Sequence, residues 1–99
     1  MKIRERDDTR LVIEMEERFD HNRAVDLEKE LFPLLTEIQI LELDLEKTSF
    51  ISSAGLRILL KLQKAMTAQH GTMKLTHPVD KVAEVFQMTG FTRVMTIES

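Results

Sequence analysis

Cysteine is absent from this 99-residue chain, as are tryptophan and tyrosine, and only three glycines and two prolines punctuate it. Without thiols it can hold no disulfide, thiolate metal site, iron–sulfur cluster or cysteine nucleophile. With its aromatic residues limited to five phenylalanines, it lacks the platforms on which single-stranded bases stack. Basic residues are no more plentiful than acidic ones: 14 against 17, interspersed, give a formal net charge of −3. No basic stripe exists to displace counterions from a nucleic-acid backbone, so direct nucleic-acid binding is not expected. No apolar run approaches the roughly 20 residues that span a bilayer, and the opening MKIRERDDTR lacks the apolar region of a secretory signal. A cytoplasmic location without membrane insertion is expected.

What is present is a balance of 42% hydrophobic and 31% charged residues, which supports one packed domain over residues 1–99. The chain predicts a hairpin first, from Lys2–Arg6 and Leu11–Met15 around the turn residues Asp7, Asp8 and Thr9. Ala24, Leu27, Leu31 and Leu34 recur at helical spacing and predict a helix over Arg23–Leu35, capped by Asp20 or Asn22 and kinked or ended near Pro33. Ile38–Leu45 reads as a central strand covered at least partly on both faces. After Phe50 and Ile51, a second helix is expected from about Ala54 to Gln69. Leu56, Leu59, Leu60 and Met66 would share its buried face, and Gly71 would be its left-handed terminator. Thr72–Thr76 predicts a short strand. Pro78 is expected to open a third helix, with Val79, Val82, Ala83 and Phe86 as its apolar stripe and its end at Gly90. Phe91–Ile97 is compatible with a closing strand. The order predicts an α/β fold, one mixed sheet packed with helices.

Few residues invite chemistry. His21, His70 and His77 stand in predicted loops at no metal-ligand spacing, and neither a metal nor another cofactor is expected. Three glycines leave no Gly-x4-Gly-Lys-Ser/Thr phosphate loop, and no serine occupies a Gly-x-Ser-x-Gly nucleophile turn. Met15, Met66, Met73, Met88 and Met95 fall on apolar positions and read as core filler. The informative segment is Phe50-Ile-Ser-Ser-Ala-Gly-Leu-Arg57, a strand feeding through a polar turn into a helix that opens with two hydroxyls. Ser52 or Ser53 can cap that helix. Free N–H groups and the helix dipole there favour an anion. Gly55 is the oddity, because a helix interior prefers Ala by roughly 1 kcal/mol, so a glycine in the first turn implies close approach of another backbone or of a partner.

These residues resemble the STAS domain of bacterial anti-sigma-factor antagonists. Phe50–Arg57 is similar to the Ile-Ser-Ser-Ala-Gly-Leu-Arg variant of the family signature, Arg18-Phe-Asp20 to its Gly-x-Leu-Asp turn, and Val85-Phe-Gln-Met-Thr-Gly-Phe91 to its terminal Leu-Phe-x-x-x-Gly element. Two positions depart from the pattern. Ser52 stands where the family often has Asp, leaving Ser52 as a second candidate hydroxyl, and Glu17 stands at the glycine. The resemblance implies a binding protein without catalytic activity. Its phosphorylation site would be Ser53 and its partner surface Asp20, Ser52, Ala54, Gly55 and Arg57. The partners implied are a serine kinase of the GHKL type that is also an anti-sigma factor, and a cognate phosphatase. The alternative is a STAS accessory subunit of a membrane transport or stressosome assembly, with Ser53 as a mere cap.

Overall fold

Asp7 makes the first turn with its own side chain: Oδ1 accepts from the backbone N–H of Thr9 at 2.9 Å and of Arg10 at 2.8 Å, the local bonding that suits Asp to turns. It joins β1 (Lys2–Arg6) to β2 (Arg10–Glu14), an antiparallel pair with a bulge between Ile3 and Glu5. The computed structural model describes residues 1–99. In chain order there follow β3 (Arg18–Phe19), α1 (His21–Leu31), a 3-10 turn (Phe32–Leu34), β4 (Ile40–Asp44), β5 (Phe50–Ile51), α2 (Ser53–Ala68), β6 (Thr72–Thr76), α3 (Asp80–Thr89), a 3-10 turn (Phe91–Arg93) and β7 (Thr96–Glu98). The five-stranded sheet has the order β1-β2-β4-β6-β7, parallel after the first pair. β3 and β5 form a separate parallel pair. The expected single sheet is therefore two, because Arg18–Phe19 is too short a strand for alternation to reveal.

From β2 onward each parallel strand is added on the same side of its predecessor. Right-handed crossovers then place all three helices on one face. The register agrees: Leu11, Leu41 and Met73 lie in one cross-strand row and Ile13, Leu43 and Leu75 in the next, all at or near zero exposure. Against them pack Ala24, Leu27 and Leu31 of α1, Ile58, Leu59, Leu62 and Met66 of α2, and Val82 and Phe86 of α3. The opposite face has no helix. It is roofed by its own ion pairs, Arg4 with Asp44, Arg10 with Glu42 at 3.2 Å and Lys74 with Glu98 at 3.7 Å. Long side chains here cover what a helix would otherwise cover.

Several boundaries differ from expectation for identifiable reasons. α1 starts at His21 because Asp20, not Asn22, is its cap. It stops at Leu31 because Pro33, in the following 3-10 turn, has no N–H to continue the ladder. On α2 the buried stripe is Gly55, Ile58, Leu59, Leu62 and Met66, while Leu56 and Leu60 are half-buried at its margin. Its C-terminus turns through His70, whose φ is 58°, not through Gly71. Gly71 serves close approach instead, since a Cβ there would lie 2.7 Å from Met66 Cε and 2.9 Å from the Gln39 carbonyl oxygen. Pro78 lies outside α3. Val79 is the N-cap and exposed, so it leaves the apolar stripe. Met88 is 79% exposed and is no part of the core, unlike Met15, Met66, Met73 and Met95. Phe91 turns in a 3-10 helix to stack on Phe86, ring centroids 5.9 Å apart, which shortens the closing strand to Thr96–Glu98.

Candidate functional site

The loop that carries the serines is built from the end of β4. Burial pushes the Asp44 carboxyl up, but the Glu46 N–H, the Arg4 guanidinium and nearby His77 outweigh it and hold the group below its ordinary value. Its Oδ1 accepts from the Glu46 N–H at 2.9 Å, which starts the turn. Thr48 is fully buried, its hydroxyl donating to the Glu16 carbonyl at 2.7 Å. The N–H of Ser49 reaches the Glu17 carbonyl at 2.8 Å. These bonds hand the chain to β5, which pairs with β3 in the register Arg18 to Phe50 and Phe19 to Ile51.

Because β3 and β5 are parallel, the next residue of each, Asp20 and Ser52, stands at a matching helix start. Both are N-caps. Asp20 Oδ1 accepts from the Arg23 N–H at 3.1 Å, and Ser52 Oγ accepts from the Gly55 N–H at 3.1 Å. The choice between the two serines is thereby resolved: Ser52 is the cap, half-buried, and Ser53 is the first helical residue, exposed. Ala54 is half-buried and Arg57 exposed. A shallow groove of about 150 Å³ runs between α1 and α2, bordered by His21, Ala24, Val25, Ala54, Arg57 and Ile58.

Gly55 is buried, and what approaches it is the chain itself. A Cβ there would stand 2.8 Å from the Phe19 carbonyl oxygen and 2.9 Å from the Phe19 ring. That same carbonyl accepts from the Ser52 N–H at 3.0 Å. Gly55 thus shapes the loop from beneath and offers no contact surface of its own. The sequence marked Arg18-Phe-Asp20 as a turn but not its part here, with Phe19 as the platform beneath the loop and the Arg18 guanidinium 4.4 Å from the centroid of the exposed Phe50 ring. The signals for it were the apolar Phe19 directly before a capping Asp and the resemblance of this segment to the family's turn.

The largest concavity, about 840 Å³, does not include Ser53. It opens beyond the ends of β2 and β4 and is rimmed by Glu14, Glu16, Glu17, Glu46 and Lys47. Two of its four carboxylates are answered locally, Glu14 held below its ordinary pKa by the Lys47 ammonium that bonds it and Glu16 paired with Arg23. No three His, Asp or Glu side chains gather into a metal-holding group, and no helix is long and apolar enough to cross a membrane.

The STAS domain profile matches residues 1–99. BtrV of Bordetella bronchiseptica, assigned as an anti-sigma factor antagonist, is 36% identical over 55 residues, 56% of this chain and 47% of that protein. The chain is thus aligned with about half the length of that relative. Among solved structures, the anti-sigma factor antagonist SpoIIAA in its unphosphorylated form superposes with a TM-score of 0.87 at 20% identity, covering 99% of this chain and 87% of the other. The phosphorylated form of SpoIIAA, from Bacillus, gives 0.77 at 19% identity over 99% and 90%. A sulfate transporter family protein of Wolinella succinogenes gives 0.79 at 16% identity over 88% and 74%. At these identities the structural likeness is one of fold.

Proposed function

The chain belongs to the STAS domain family, and from that premise we propose that it is an anti-sigma-factor antagonist of a partner-switching pathway, acting by binding and without catalysis. Unphosphorylated, it would dock the start of α2, with Ser52, Ser53, Ala54 and Arg57 and the neighbouring cap Asp20, on a serine kinase of the GHKL type that also serves as anti-sigma factor. Phosphorylation of Ser53 would release it, and a cognate phosphatase would restore it. The observation that carries this reading is the division of labour between adjacent hydroxyls. Ser52 is consumed as a cap and Thr48 is buried, while Ser53 is exposed at the first helical position. A phosphate there adds about −1.5 to −2 charge. At a helix N-terminus that charge is tolerated by the fold, so the modification acts on the complex by repulsion and desolvation while the domain stays folded.

The resemblance of the fold to a sulfate transporter family protein supports a second reading, a permanent accessory subunit of a transport assembly. One experiment separates the two. Partners are captured on the wild-type chain before and after phosphorylation, and the phosphate is located by peptide mapping. Loss of a kinase from the captured set when Ser53 carries phosphate supports the switch. Retention of the same partner in both states assigns the chain to the second reading.

A further inference from the structure

Ser53 opens α2 and Arg57 follows it by four residues. That spacing sets two side chains beside each other on a helix surface, about 5–6 Å apart at Cβ. Both are exposed. Arg57 takes part in none of the ion pairs of the chain. The one carboxylate bordering its groove, Glu28, is held by Lys61 at 3.0 Å. Asp20 is occupied as the α1 cap, and Arg18 lies over Phe50. Beside the hydroxyl there is thus one guanidinium without an anion.

Building on the reading of Ser53 as the modified residue, we propose that Arg57 is an intramolecular clamp for the Ser53 phosphate. The planar guanidinium matches a phosphate through two parallel N–H···O bonds. Placing the anion four residues before the cation follows the order that the helix dipole favours. No existing ion pair has to break. Modification would then do two things at once: add negative charge to the docking surface and withdraw from the partner the cation that the unmodified chain presents there. His21, the first residue of α1, borders the same groove and is the control side chain for the test.

The test uses the full chain with phosphoserine installed at position 53 during synthesis, and follows the phosphate by 31P NMR titration in the wild type and in Arg57→Gln, Arg57→Lys and His21→Asn backgrounds. Loss of the clamp in Arg57→Gln should raise the second phosphate ionisation by roughly half a unit or more, as expected when an adjacent opposite charge is removed. Arg57→Lys should fall between, having the charge without the fork, and His21→Asn should follow the wild type. Coincident curves for wild type and Arg57→Gln, or a shift produced by His21→Asn alone, would overturn the proposal. Since no kinase is involved, this outcome is separate from the choice of phosphosite: a kinase found to modify Ser52 would remove that choice and leave the titration standing.

Discussion

The carbonyl oxygen of Phe19 lies 2.8 Å from the point a Cβ would occupy on Gly55. Helix propensity favours alanine over glycine by about 1 kcal/mol, but here the contact opposes it. The carbonyl cannot yield freely, because it also accepts the Ser52 N–H. Gly55→Ala should therefore destabilise the domain by about 1–3 kcal/mol, the usual range for overpacking. Urea unfolding measures this directly, and a variant as stable as the wild type would show that β3 can retreat from α2.

The two serines should part in their effects. Ser52→Ala removes the cap and should cost about 0.5–2 kcal/mol, whereas Ser53→Ala, at an exposed position outside any capping bond, should stay within about 0.5 kcal/mol of the wild type. Ser53→Asp should remain folded and lose the captured partner. Thermal melts and a binding titration on the same three variants check both halves, and a large loss of stability in Ser53→Ala would mean that Ser53 is the cap.

Acid should act through Asp44. Its folded pKa lies below the unfolded value, so its stabilising contribution is complete above the unfolded value of about 3.9 and is lost as pH falls through the depressed folded value. Asp44→Asn keeps the shape and removes the charge, leaving the Arg4 guanidinium without its partner. The variant should be less stable near pH 7 by roughly 1–3 kcal/mol, with a difference from wild type that shrinks on acidification. Denaturant midpoints collected from pH 7 to pH 3 would show this convergence; parallel curves would place the acid sensitivity elsewhere, for instance at Asp7 or Glu14, whose pKa values are also lowered.

At the end of α2 the expected place of the glycine is one residue late. His70 holds the left-handed conformation at φ 58°, so His70→Gly should stabilise by up to about 1 kcal/mol. Gly71→Ala should destabilise, because its Cβ meets the Gln39 carbonyl oxygen at 2.9 Å. Opposite shifts of the melting temperature in the two variants are the expected result.

Local periodicity determined most of the architecture. The Leu41-Leu43-Leu45 alternation, the i to i+4 stripes around Leu27, Leu59 and Phe86, and the turn residues Asp7 and Gly90 each act within one turn of helix or one pair of strands, so a single sequence carries them. The Phe50–Arg57 segment was legible for the same reason, as contiguous residues that make a strand end, a cap and a helix start. Other features were left to tertiary structure because each depends on atoms far apart in the chain. Phe19 and Gly55 are 36 positions apart in the chain, and only the parallel pairing of β3 with β5 shows that the glycine yields to this chain's own carbonyl. The same pairing decides that Asp20 and Ser52 open two helices side by side, and so which of two adjacent serines is spent on the fold and which is left exposed.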